Sequence, residues 1–150
     1  YLFPYNVPED RQITRLELSV EASTELAKPP LQAEFQLTIN GHAFEPCTLS
    51  EPRADSTTRH MPGWYPQELP TAGQLLTWTV DHHGAFFNGR PAGEFTLKEL
   101  GIKGSQPIQA ILRVLACSAK GQPRGGLVLY GRNFGRFDQD LRFKIVHDGQ

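Results

Sequence analysis

Three histidines are the side chains in this sequence best suited to acid–base or metal chemistry. His60, His82 and His83 could serve as general bases or as zinc ligands, because a neutral imidazole accepts protons and binds metals near neutral pH. His82 and His83 are adjacent, so on a strand they would point to opposite faces, whereas in a turn they could converge with Asp81 or His60. Zinc sites need several convergent ligands, and the sequence has neither HExxH nor CxxC. We therefore expect no metal ion and no cofactor.

Nucleophilic catalysis has equally little support in the residue pattern. No GxSxG elbow occurs. Ser56 lies near His60, but a loop interrupted by prolines is a poor platform for groups that must be held rigidly. We therefore do not expect an enzyme, and a small hydrolase or lyase using His60, His82 or His83 stays as the alternative.

Trp64 and Tyr65 are the strongest candidates for binding. They are adjacent, and Pro62, Gly63 and Pro66 bracket them. Rigid aromatic side chains on a loop offer a large contact area at low entropic cost, which suits sugar stacking or a protein–protein contact. The alternative is that the two rings cover one end of the core. We expect a binding site made of Trp64 and Tyr65 with two polar neighbours, Arg59 and His60.

Alternating apolar and polar residues predict the elements that would position these groups. Leu76, Trp78 and Val80 fall on one face of a strand, with Thr77 and Thr79 on the other. Similar alternation occurs in three further runs, at residues 13–22, 35–39 and 141–145. The dipeptides Asn40-Gly41 and Asn88-Gly89 predict tight turns between strands. With frequent Gly and Pro elsewhere, the pattern predicts an all-β protein: an antiparallel β-sandwich, jelly-roll or immunoglobulin-like, with about eight strands and one short helix.

Three segments depart from simple alternation. Residues 45–71 contain five prolines and a polar run, which predicts a long irregular loop. Thr96 and Glu99 form a capping-box pattern that Gly101 would end, which predicts one short helix. Residues 108–117 are apolar on both faces apart from Gln109 and Arg113, which predicts a central strand covered on both sides, with a short buried helix as the alternative.

Composition limits the class of protein further. The 150 residues fit one domain, and the net charge of -1 gives no reason to expect nucleic-acid binding. No apolar run is long enough for a membrane span. The two cysteines, Cys47 and Cys117, are expected as free, buried thiols rather than as a disulfide. Since the chain begins with Tyr1, we expect a domain excised from a longer protein or a processed chain.

Two sets of turn residues resemble known β-rich proteins. Leu37-Thr38-Ile39-Asn40-Gly41 resembles the opening of carbohydrate-binding jelly rolls in bacterial exopolysaccharide machinery. The order strand, Asn-Gly, Pro-Gly-Trp, strand is similar to β-rich terminal domains of secretion-system envelope proteins. Either resemblance implies an extracytoplasmic or cell-envelope location, and neither assigns a functional position.

Together these patterns favour a non-catalytic module that binds a partner protein or a glycan through loop aromatics. Besides the hydrolase or lyase, a structural spacer domain of a cell-envelope or secretion assembly is a further alternative.

Overall fold

The computed structural model describes residues 1–3, 12–24, 31–51, 58–60, 68–70, 73–102, 106–119, 122–123, 127–131 and 141–148. These residues form strands and one short helix, α1 (Leu97–Leu100). The longer strands are β2 (Ile13–Thr24), β3 (Leu31–Ile39), β5 (Cys47–Glu51), β8 (Gln74–Asp81), β11 (Ile108–Ala119) and β14 (Arg142–His147). The shorter ones are β1 (Leu2–Phe3), β4 (His42–Ala43), β6 (Thr58–His60), β7 (Glu68–Pro70), β9 (Ala85–Phe87), β10 (Arg90–Gly93), β12 (Gln122–Pro123) and β13 (Leu127–Leu129).

Two antiparallel sheets pack against each other, so the predicted β-sandwich is confirmed. The first sheet has the order β1-β11-β3-β4, with β12 paired to β11 and β5 paired to β3. The second has the order β10-β9-β8-β2-β13, with β14 also paired to β2. The strands outnumber the eight expected because several are only two or three residues long, too short to show alternation in sequence.

The central strands alternate between the sheets along the chain. β2 pairs with β8 in one sheet, and β3 pairs with β11 in the other. Immunoglobulin domains pair their second strand with the fifth and their third with the sixth in the same manner. The last strand departs from that arrangement, because β14 joins β2 instead of the sheet that contains β11.

The core lies between the sheets and is centred on Trp78. The indole of Trp78 is 1% exposed and meets the Phe35 ring edge-on at 6.0 Å between centroids. The Trp78 ring also packs against Phe87, with 5.1 Å between the ring centroids. The remaining inward side chains of the central strands are aliphatic, as the alternation predicts: Leu16, Leu18, Val20, Leu37, Ile39, Leu76, Val80 and Ile108. Each large side chain of this kind stabilises the fold by roughly 1.5–3 kcal/mol when fully buried.

The predicted turns and helix are present. Asn40 and Gly41 both have positive φ, at 47° and 81°, and this Asn-Gly turn connects β3 to β4. Thr96 caps α1 through a capping box with Glu99, and Gly101 ends the helix in the left-handed conformation. Apolar packing then fixes the helix against the core through Leu97 and Leu100.

Two segments differ from expectation. Residues 45–71 are not irregular throughout, because β5 pairs with β3 along its length and buries Leu49. Sequence analysis did not identify β5 as a strand because its alternate residues, Thr48 and Ser50, are polar and belong to a polar, proline-rich segment. The expectation that residues 108–117 are covered on both faces is wrong, since Ile111 and Leu115 are 37% and 42% exposed.

The cysteines lie on opposite sides of β3. Cys47 is a free thiol opposite Phe35, while Cys117 is opposite Ala33 on the other neighbouring strand. Two strand spacings separate their backbones by about 10 Å. A disulfide spans at most about 7 Å between Cα atoms, so this register keeps the two cysteines apart.

Within the part of the chain that the structure describes, no helix is long and apolar enough to cross a bilayer.

Candidate functional site

Two of the four predicted binding residues lie on a small ribbon formed by β6 and β7. These strands pair with each other as a separate two-stranded sheet, and Arg59 is opposite Leu69 while His60 is opposite Glu68. Trp64 and Tyr65 belong to residues 61–67, which connect β6 to β7 in the chain and lie outside the described residues. The structure therefore places Arg59 and His60 on one strand next to that connection.

The ribbon is small for an independent element. A lone two-stranded hairpin is marginally stable in water, and burial of a hydrophobic face normally supplies the missing stability. Each strand of the ribbon has only three residues, and its backbone pairs with neither of the larger sheets in the described residues. We refer to residues 58–70 as the ribbon segment.

His82 and His83 occupy the turn between β8 and β9, where Asp81 organises the backbone. The Oδ1 atom of Asp81 accepts hydrogen bonds from the backbone N–H groups of His83 at 2.7 Å and Gly84 at 3.0 Å. Both imidazoles are exposed. Among the described residues, no three His, Cys, Asp or Glu side chains converge as metal ligands. The Asp81 carboxylate thus acts as a turn cap here.

An open cleft of about 360 Å³ lies beside this turn, between the start of β2 and α1. Its lining combines half-buried or buried aliphatic side chains with exposed polar ones: Gln12, Ile13, His82, Leu97, Lys98, Gly101 and Ile102. Among the described residues of this lining, Lys98 is the permanent cation and none is a carboxylate. The cleft could accept a small ligand with an apolar body and an anionic group.

Local hydrogen bonds hold both walls of the cleft. The Gln12 N–H donates to Oδ1 of Asp148 at 2.9 Å, and the Asp148 N–H donates to the Gln12 carbonyl at 2.9 Å. On the other wall, the Glu99 carboxylate accepts the backbone N–H of Thr96 at 2.9 Å. The Thr96 hydroxyl also bonds to this carboxylate and has the largest effect in lowering the pKa of Glu99. The hydrogen bond from the Thr96 backbone lowers that pKa further.

Of the residues that line the cleft, only His82 was a candidate functional residue in the sequence analysis. A capping box identifies α1 but not the element that α1 packs against, so Gln12 and Lys98 could not be brought together from sequence. Among the described residues of the lining there is no serine, cysteine or carboxylate that His82 could activate.

Cys47 is a second group with chemical potential, and its surroundings oppose reactivity. Burial raises the pKa of the thiol to about 11, against a smaller opposing effect of the Trp78 side chain. The Sγ atom donates to the Glu45 carbonyl at 3.5 Å. Within the described residues, the buried indole N–H of Trp78 has no oxygen or nitrogen acceptor.

Glu21 is a buried carboxylate that alternation had placed in solvent. Its side chain is 3% exposed, and Oε2 accepts the Gly73 N–H at 3.1 Å. Gly73 lies so close that an added Cβ would meet the Glu21 Cγ at 2.8 Å. Glu21 therefore fixes the chain where it enters β8, which is a structural role.

Three surfaces thus carry the candidate chemistry: the ribbon segment, the turn with its cleft, and the thiol beside Trp78. Comparisons of the chain with protein-family models, curated proteins and solved structures found no match.

Proposed function

We propose that this protein is a non-catalytic binding module that engages a partner protein or a glycan through the ribbon segment. Trp64 and Tyr65 would be the anchors of that contact, with Arg59 and His60 as polar neighbours. The observation that carries the proposal is that β6 and β7 pair with each other and, among the described residues, with neither sheet of the sandwich. The connection between them contains both aromatic residues.

The physical reasoning concerns what each part of the chain needs for stability. The sandwich has a continuous core made of side chains from both sheets. The ribbon strands pair only with each other in the described residues, so a partner that covers them would supply the apolar burial that a lone hairpin lacks. Paired aromatics next to a cation and an imidazole suit either a planar sugar face or a protein surface.

The second candidate function is a hydrolase or lyase that uses His60, His82 or His83. The observation that favours it is the position of His82 in the lining of the cleft beside Lys98. Turnover of any substrate that is lost in a His82→Ala variant would support this candidate over the binding module. A structural spacer is the third candidate, and it predicts no ligand at all.

A paired-variant binding assay tests the proposal. Wild type and a Trp64→Ala/Tyr65→Ala double variant would be titrated with a panel of soluble oligosaccharides and compared in pull-downs of partner proteins. Loss of the two anchors should weaken binding by about 30-fold or more, which corresponds to the hot-spot scale of about 2 kcal/mol. Tyr1→Ala/Leu2→Ala is the control, because it removes apolar residues that are 56% and 64% exposed elsewhere. Equal binding by wild type and the double variant would refute the proposal.

A further inference from the structure

Two Asn-Gly turns of the protein share one backbone conformation but hold the asparagine side chain differently. Asn40-Gly41 connects β3 to β4, and Asn88-Gly89 connects β9 to β10, each as a two-residue loop. The asparagine φ is 47° in the first turn and 48° in the second, and the glycine φ is 81° and 80°. A difference in chemical behaviour between the two turns therefore comes from side-chain contacts and neighbours, not from these torsion angles.

An Asn-Gly dipeptide can react with itself. The backbone nitrogen of the glycine, after losing its proton, attacks the Cγ atom of the asparagine, and a five-membered succinimide forms as ammonia leaves. Water then adds to either carbonyl of the ring, which yields aspartate or isoaspartate. Glycine favours the attack because it has no Cβ to obstruct it. An added Cβ on Gly41 or Gly89 would have no neighbour within 4 Å, so neither glycine is enclosed.

Both asparagines bind a neighbouring strand in the same way. The N–H of Asn88 donates to the Thr77 carbonyl at 2.8 Å, and the Asn88 Oδ1 atom accepts the Thr77 N–H at 2.9 Å. The N–H of Asn40 donates to the Gln109 carbonyl at 2.9 Å, and the Asn40 Oδ1 atom accepts the Gln109 N–H at 2.9 Å. These hydrogen bonds restrain the two carboxamides to a similar extent.

One further hydrogen bond and greater burial distinguish Asn40. Its Nδ2 atom donates to the carbonyl of Leu100, the last residue of α1, at 3.2 Å. Asn40 is half-buried, whereas Asn88 is exposed. Among the described residues, no group accepts a hydrogen bond from Nδ2 of Asn88. Both ends of the Asn40 carboxamide are thus fixed, while at Asn88 the nitrogen that would leave as ammonia faces water.

The reaction product would also fit the two sites differently. A carboxylate at position 88 can still accept the Thr77 N–H. At position 40, a carboxylate oxygen would take the place of Nδ2 and lie against the Leu100 carbonyl oxygen, although neither atom can donate a hydrogen bond. The fold therefore accommodates an added charge at the first site and opposes it at the second.

We propose that Asn88 is a site of spontaneous modification by deamidation, and that the hydrogen bond to Leu100 protects Asn40 from the same reaction. Water is the co-reactant and ammonia is the leaving group. Conversion of Asn88 adds one negative charge beside Arg90, on a chain whose net charge is -1. Isoaspartate, the other product, adds one carbon to the backbone of the β9–β10 turn. This site is independent of the ribbon segment.

Peptide mapping by mass spectrometry tests the proposal. The native protein would be incubated at pH 8 in heavy-oxygen water, so that each succinimide hydrolysed during the incubation carries a heavy oxygen. The peptide with Asn88 should gain this label about two- to tenfold faster than the peptide with Asn40, the range expected when one more hydrogen bond must break. The same incubation in urea removes the fold, and the two rates should then become similar because both dipeptides are Asn-Gly.

A matched pair of variants tests the contact with Leu100 separately. Asn40→Asp should lower the melting temperature by roughly 2–4 °C, the shift expected for the loss of one hydrogen bond in a domain of this size. Asn88→Asp makes the same chemical change in the other turn and should melt near wild type.

Three results would overturn the proposal. The first is labelling in the native protein that is equal at the two sites, faster at Asn40 or absent at Asn88. The second is an unchanged ratio of rates in urea, since the difference would then belong to the local sequence. The third is an equal melting temperature of the two variants, because the contact with Leu100 would then not hold Asn40 in place.

Discussion

The sandwich and the ribbon differ in how many neighbours each strand has. In the sandwich, β2 pairs with β8 along one edge and with β14 and β13 along the other. Its inward side chains are fully buried between the two sheets. In the ribbon, β6 and β7 each have three residues and pair with one another. Among the described residues, the loss of one strand pairing therefore affects several neighbouring strands in the sandwich and a single one in the ribbon.

This difference suggests that the sandwich supplies the stability of the fold and that the ribbon segment is used for recognition. Strands with partners on both edges and a buried face supply most of the free energy of folding. An element with one partner contributes little to it, so its residues are free to vary and to bind. The two tryptophans of the chain allow a direct test, because Trp78 is in the core and Trp64 belongs to the ribbon segment.

The largest effect is expected from Trp78→Ala. The Trp78 indole is 1% exposed and packs against Phe35 and Phe87, so truncation leaves a cavity that the two sheets cannot easily close. We expect a loss of about 3–5 kcal/mol in the free energy of unfolding. Urea denaturation followed by circular dichroism measures it. A loss below about 1 kcal/mol would show that the core does not depend on this residue.

A smaller loss is expected from Glu21→Ala. Removal of the carboxylate breaks its buried hydrogen bond with the Gly73 N–H, and the loss of such a buried contact costs about 1–3 kcal/mol. Glu17→Ala is the matched control on the same strand, because Glu17 is partly exposed and its contact with Arg15 is 3.9 Å. The control should change stability by less than about 0.5 kcal/mol. An equally small loss of stability in Glu21→Ala would mean that the Glu21 carboxylate is in a solvent-like environment.

Glu21 also shows where sequence reasoning reaches its limit. Alternation identified the inward faces of β2 and β8, and the Asn-Gly turns and the capping box were found because their signals are local. Alternation alone does not reveal what lies over the outward face, so the burial of Glu21 was missed. The two-sided cover predicted for β11 was wrong for the same reason, since apolar side chains there face outward.

The candidate sites were predictable to a smaller extent. The bracketing of Trp64 and Tyr65 by proline and glycine is a local pattern, and it led to the ribbon segment. The cleft joins Gln12, His82 and Lys98, which are far apart in sequence. No pattern in a single sequence predicts that these three residues lie close together, because their proximity depends on how α1 packs beside β2.

A third prediction concerns Cys47, at the border of the core. Its raised pKa of about 11, against 9.0 for an unperturbed thiol, lowers the thiolate fraction at pH 8 on the order of a hundred-fold. In a Cys117→Ser variant, which leaves Cys47 as the single thiol, reaction with a disulfide reagent should be correspondingly slow until the protein unfolds. Rapid reaction of the native variant at pH 8 would show that the thiol is exposed.

The same shift makes stability depend on pH. The thiol of Cys47 deprotonates near pH 9.0 in the unfolded chain and near pH 11 in the native protein, so the native state retains its proton over a wider range. The resulting stabilisation is fully present below pH 9 and is lost as the pH rises towards 11. Cys47→Ala should flatten this part of the stability profile relative to wild type.

The smallest effect on stability is expected from Trp64→Ala/Tyr65→Ala. If the ribbon segment recognises a partner and the sandwich supplies the fold, removal of both rings should change the free energy of unfolding by no more than about 0.5 kcal/mol. Thermal melts of this double variant beside Trp78→Ala compare the two regions directly. At roughly 2–4 °C per kcal/mol, the core variant should melt many degrees lower and the ribbon variant near wild type. A fall in both variants of similar size would mean that Trp64 and Tyr65 cover the end of the core. Binding would then have to be sought elsewhere, first at the cleft.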